Sequence, residues 1–204
     1  MKTDVITVYS DLRGRDEAMR AAEKFAAYHE ITGKDAMHLR LLTEETISMA
    51  HGIFDDFRGK FWLESQKTKK GLICRICLSA DRLVNKEQEA QILSVSTSGR
   101  NESAKGVMGK IREIFRHGLQ SSSTMDEQYL QNINDAWLSG GASTADSNFW
   151  SLQLYRQNLS DPQDSQAEEW DELEKSIIAR LADEVKVWLD AAATTVIIEK
   201  QFDL

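Results

Sequence analysis

Residues 185–202 hold two short stretches that alternate apolar and polar side chains: Val185-Lys-Val-Trp-Leu189 and Thr195–Phe202, with a turn at Asp190–Ala193. Successive side chains of a strand point to opposite faces, so this pattern predicts a hairpin with one face turned to a core. A second pair of the same kind, Phe61-Trp-Leu-Glu-Ser65 and Leu72–Leu78, flanks the charged turn Lys67–Gly71. A β-branched and aromatic stretch, Val5-Ile-Thr-Val-Tyr9, reads as a further strand.

Between these strands the apolar period changes from two to about 3.6. Ala18, Ala21, Ala22, Phe25 and Ala26 fall on one face of a helix running from Arg15 to His29, which Gly33 breaks. Met37, Leu41, Leu42, Ile47, Met49, Ala50 and Ile53 mark a longer helix from Asp35 to Phe54. Asn85–Leu93 reads as a short helix, Thr97–Ala104 as a polar loop, and Gly106-Val-Met-Gly109 as the opening of a helix over Lys110–His117. Residues 119–167 are rich in Ser, Gln, Asn and Asp, with helical stretches near Met125–Leu138 and Asn148–Asn158. Their apolar content is too small for a core of their own, so they read as an insertion. A helix over Glu168–Ala182 presents Trp170, Leu173, Ile177, Ile178 and Leu181 on one face. The order β-α-α-β-β-α-loop-α-insertion-α-β-β implies an α/β (α+β) two-layer sandwich: a mixed, mostly antiparallel sheet covered by helices on one face, with a helical insertion. The 204 residues are expected to form one domain, with a lid-like segment at about 97–118 and an acidic insertion at about 119–167.

Charge divides the chain. Residues 1–118 carry 20 Lys and Arg against 17 Asp and Glu; residues 119–204 carry 5 against 16. The total of −8 argues against a general nucleic-acid binder, and the acidic part suits a basic protein partner. No apolar run approaches the ~18 residues of a membrane span, the first residues lack the pattern of a signal peptide, and Cys74 and Cys77 make no disulfide framework. These features predict a reduced, cytoplasmic protein with no membrane segment. The spacing Cys74-Arg-Ile-Cys77 falls in a strand, where i and i+3 point to opposite faces, which argues against a metal or dithiol site.

Three segments resemble the ATP-binding domain shared by histidine kinases, the gyrase family and the anti-sigma-factor serine kinases, the GHKL or Bergerat fold. Leu41-Leu-Thr-Glu-Glu-Thr-Ile-Ser-Met-Ala-His-Gly52 is similar to the N-box helix, where a Glu is followed four residues later by an Asn. Leu78-Ser-Ala-Asp81 resembles the strand end whose Asp reads adenine. Ile177–Phe202 is similar to the closing helix and hairpin of the anti-sigma kinases, and Lys105–Phe115 resembles the glycine-containing start of the helix after the ATP lid. The resemblance covers roughly residues 1–118 and 168–204.

It implies ATP and Mg²⁺ as cofactors. Glu44 would orient or deprotonate the attacking hydroxyl or water. Ser48 would stand at the Mg²⁺ ligand position, and Asp81 would meet the adenine amino group. Gly106, Gly109 and Lys110 would meet the phosphates. Two departures stand beside this. Ser48 replaces the family's Asn with a shorter ligand, and Leu83 and Asn85 stand where the family's DxGxG motif has glycines that turn the backbone beside the base. The expectation is a degenerate GHKL-type ATP-binding protein, regulatory in the manner of an anti-sigma-factor serine kinase. If catalytic, it would be an ATP-dependent serine kinase or an ATPase. The alternative is a non-catalytic protein-binding module that kept the fold, lost nucleotide binding and takes no cofactor. Similar proteins commonly form homodimers, which makes a homodimer a further expectation.

Overall fold

A computed structural model describes residues 1–50, 57–81, 111, 149–159, 176–189 and 193–203. In chain order they form β1 (Ile6–Tyr9), α1 (Arg15–Tyr28), α2 (Gly33–Ala50), β2 (Arg58–Thr68), β3 (Gly71–Asp81), β4 (Phe149–Ser151), α3 (Leu152–Leu159), α4 (Ile177–Leu181), β5 (Glu184–Leu189) and β6 (Ala193–Phe202). The strands make one six-stranded sheet in the order β1-β2-β3-β6-β5-β4. Every pairing among them is antiparallel, in keeping with the mostly antiparallel sheet expected. The fold is an α+β sandwich.

Register turns the alternating pattern into a core. Ile6 lies opposite Phe61, Phe61 opposite Leu78, Leu78 opposite Val196, Val196 opposite Val187, and Val187 opposite Trp150. One apolar row thus crosses all six strands, and its five aliphatic and phenyl members are fully or nearly fully buried. A second row, Leu63–Ile76–Ile198–Val185, runs beside it. Each such buried side chain contributes about 1.5–3 kcal/mol. A slip of one residue would turn both rows to the other face, so the pattern leaves one register.

Ala18, Ala22, Phe25 and Ala26 of α1 pack into the same core, with Leu39, Leu42, Ile47, Met49 and Ala50 of α2. The small alanines let α1 lie close to its neighbours. Ile178 and Ala179 of α4 join them, and Ser176 caps that helix by accepting a hydrogen bond from the Ala179 amide. Ile111, within the lid-like segment, is also buried in this core.

The opposite face of the sheet carries the polar members of the pattern. Arg75 Nε donates to Glu199 Oε1 at 2.9 Å, and Lys186 Nζ lies 3.4 Å from Glu199 Oε2. Trp62 Nε1 donates to Glu64 Oε1 at 2.7 Å while Lys2 stacks over the Trp62 ring. Ser79 and Thr195 hydroxyls meet at 2.9 Å.

The strands exceed their apolar stretches. β2 runs to Arg58 and Thr68, and β3 to Asp81, because ladder pairing with neighbours recruits polar residues that propensity alone leaves out. The stretch expected as a helix from Asn148 begins as β4 and becomes α3 only at Leu152. So part of the segment read as an insertion supplies an edge strand, and Leu152 lies in the core. Glu184 fastens it, accepting hydrogen bonds from Ser151 Oγ and the Gln153 amide. Of the closing helix expected over 168–182, residues 177–181 are helical and 168–175 lie outside the described residues. So do the helices expected over Asn85–Leu93 and Met125–Leu138 and the loop Thr97–Ala104.

Gly14 fixes the entry to α1. Its φ is +83°, and a Cβ there would lie 2.1 Å from the Thr7 carbonyl oxygen. The Tyr9 amide donates to the Arg13 carbonyl at 3.1 Å, so the loop closes over β1, the strand at one edge of the sheet. Gly33, at φ +57°, has open space around the same position. Gly14→Ala is therefore expected to destabilise the protein by about 3 kcal/mol or more, and Gly33→Ala by about 1 kcal/mol. Equal losses in urea denaturation would contradict this account of the loop.

Candidate functional site

Glu44 projects from α2 towards α1. Its Oε1 accepts a hydrogen bond from Arg15 Nη2, the first residue of α1. One helical turn earlier on α2, Arg40 Nη1 donates to Glu23 Oε1 at 2.6 Å. The two ion pairs span the α1–α2 seam along a shallow open cleft of about 360 Å³, lined also by Asp16, Met19 and Arg20. The Glu44 carboxylate is thus held by a guanidinium, on the outer side of the helical layer. Ser48 stands one turn further along α2 and is half-buried.

Asp81 ends β3 on the other side. Even-numbered residues of this strand, Leu72, Cys74, Ile76, Leu78 and Ala80, are buried towards the helices; Asp81 alternates with them and points away. Its two oxygens lie 3.2 and 3.3 Å from Lys60 Nζ, and its side chain is 74% exposed. The structure therefore does not bring Glu44 and Asp81 together: one belongs to the helical layer and the other to the opposite face of the sheet. Gly106, Gly109, Lys110, Leu83 and Asn85 lie outside the described residues. Of the residues expected to meet ATP and Mg²⁺, Glu44 and Asp81 are each paired with a cation, on different faces of the molecule. Among the described residues, no group of three or more His, Cys, Asp or Glu side chains is placed to hold a metal ion.

Besides Thr43 Oγ1 and His29 Nε2, two further polar groups have no hydrogen-bond partner among the described residues. Glu45 is half-buried on α2 and makes no hydrogen bond or ion pair with the described residues; burial, and next the Glu44 charge, push its carboxyl above the usual range. Thr194, opposite Ala80 in the β3–β6 ladder, is fully buried, and its Oγ1 has no hydrogen-bond partner among the described residues. The signal for Glu45 was its place beside Glu44; Thr194 carried none, since its isolation is a product of packing.

Cys74 and Cys77 occupy opposite faces of β3, as their spacing requires. Cys74 lies in the core, and burial pushes its thiol far up. Cys77 lies opposite Trp62 and is also buried; its thiol is raised to about 12, by burial first and then by the Glu64 charge.

Comparison with protein families, with curated proteins and with solved structures finds no match for this chain. No described helix is long and apolar enough to cross a membrane.

Two expectations follow from these placements. Neither thiol should react with a disulfide reagent at pH 8 in the folded protein, while both react in denaturant; rapid native labelling of either would contradict its burial. Replacement of Glu44 by Gln should lower stability by less than about 1 kcal/mol in chemical denaturation, because the pair with Arg15 is well exposed.

Proposed function

We propose that this chain is a non-catalytic protein-binding module that keeps the layered architecture of the GHKL resemblance and works by contact with a protein partner rather than by phosphoryl transfer. The observation that carries this reading is the separation of Glu44 from Asp81. A nucleotide site of the kind the resemblance implies needs both carboxylates on one cavity. Here Glu44 pairs with Arg15 in the helical layer, and Asp81 pairs with Lys60 on the other face of the sheet. The serine at 48 and the lack of glycine at 83 and 85 support the same reading. The acidic excess of residues 119–204 supports a basic partner surface as the complement. A regulatory role in the cytoplasm and pairing as a homodimer belong to this proposal.

A second reading, nucleotide binding in a rearranged site, is favoured by Glu45 and Thr194, two polar groups with no partner among the described residues.

One titration separates the two. Under the first reading, calorimetry with ATP and Mg²⁺ at millimolar concentration gives no saturable heat with the wild-type chain. Saturable binding that Thr194→Val or Glu45→Gln weakens tenfold or more would overturn it in favour of the second.

A further inference from the structure

The β2–β3 hairpin ends in a turn built from residues that its geometry does not ask for. Thr68 of β2 lies opposite Gly71 of β3, so Lys69 and Lys70 make the whole connection. Two-residue connections favour Asn, Asp or Gly, which take the left-handed conformation readily. Here the positive φ, +125°, falls on Gly71, where a Cβ would lie 2.2 Å from the Phe202 carbonyl oxygen. Thr68 Oγ1 donates to the Gly71 carbonyl at 3.1 Å and accepts from the Lys70 amide at 3.2 Å. Gln201 Nε2 donates to the Lys70 carbonyl at 3.2 Å. These contacts hold the turn through its backbone and use neither lysine side chain.

Lys67, Lys69 and Lys70 are all exposed, and none makes an ion pair with the described residues. Of the acids at this end of the sheet, Asp183 is already engaged: it lies 3.3 Å from Lys200 Nζ and accepts from the Gln201 amide at 2.6 Å. Asp203 follows β6 beside Gly71 and sets one negative charge against three ammonium groups. The tip is therefore a cationic point held in place before any partner arrives. The same chain carries its complement: residues 161–174 hold seven Asp and Glu and no Lys or Arg.

We propose that the β2–β3 tip is a docking point for an acidic protein segment, and that its occupant is residues 161–174 of a second copy of this chain. Each copy offers one tip and one segment, so two copies can serve each other reciprocally. Opposed charges speed encounter and set which surfaces meet, while a single exposed ion pair contributes little. The contact therefore depends on the three ammonium groups together and weakens with salt. This inference rests on the homodimer of the proposed function and adds the surface that makes it.

The test is sedimentation velocity on the full chain at about 10 mM and about 1 M salt, where screening acts over about 30 Å and about 3 Å. The wild type should dimerise at low salt, and high salt should weaken the dimer by about tenfold or more. The variant Lys67→Glu/Lys69→Glu/Lys70→Glu should be monomeric at low salt, and so should Glu168→Lys/Glu169→Lys/Glu172→Lys. An equal mixture of the two should restore the dimer, because each presents the charge that the other lacks. Lys69→Glu/Lys70→Glu serves in place of the first variant if circular dichroism shows that one unfolded. A monomeric wild type, variants that associate as the wild type does, or a mixture that stays monomeric would each overturn the proposal. In a monomeric wild type, binding of a DNA duplex or of phosphatidylserine vesicles through the tip lysines would assign the tip to a nucleic acid or a membrane instead. The ATP titration keeps the two failures apart: a wild type that neither dimerises nor binds nucleotide removes this occupant and leaves the binding-module reading standing.

Discussion

The ladder between β3 and β6 joins the two ends of the molecule. Ten register pairs, from Leu72–Phe202 to Asp81–Ala193, tie the first hairpin to the last one across more than a hundred residues of chain. Closing so long a loop costs conformational entropy that no local interaction offsets. The offset comes from the core rows, in which Ile76 meets Ile198 and Leu78 meets Val196 on one face. Without that pairing β5 and β4 would have no sheet to join, and α4 would have no surface to pack on. Such non-local pairing also predicts a slow folder by comparison with helical bundles of the same size.

The helical layer depends on a different balance. α1 contributes alanines and one phenylalanine to the core, so it buries little area per turn and approaches its neighbours closely. Its seam with α2 is then closed on the outside by Arg15–Glu44 and Arg40–Glu23. These pairs are exposed and each contributes little to stability. Asp81 beside Lys60 is a pair of the same exposed kind on the other face of the sheet.

The elements were legible because their periodicities are clean. The strands at 6–9, 184–189 and 193–202 and the helix from Arg15 follow directly from alternation and from the Ala18–Ala22–Phe25–Ala26 spacing. The lengths of β2 and β3 were not, since Lys60, Gln66 and Asp81 become strand residues only when a neighbouring strand supplies hydrogen-bond partners. β4 was read as helix for a related reason. Phe149-Trp-Ser151 has no alternation long enough to announce a strand, and it is one because Trp188 and Val187 of β5 lie opposite it. In the candidate site, the sequence identified which acids the helix and strand end carry but not their counter-ions, which come from α1 and β2.

By itself, the amino-acid sequence determined the number of alternating stretches, the helices between them and the confinement of Cys74 and Cys77 to opposite faces, because each of these follows from geometry within one element. Tertiary structure alone decided which cations pair with Glu44 and Asp81, that Glu45 and Thr194 have no partner among the described residues, and that His29 is buried. Those outcomes depend on what another element brings to within a few ångströms, and no local pattern encodes that distance.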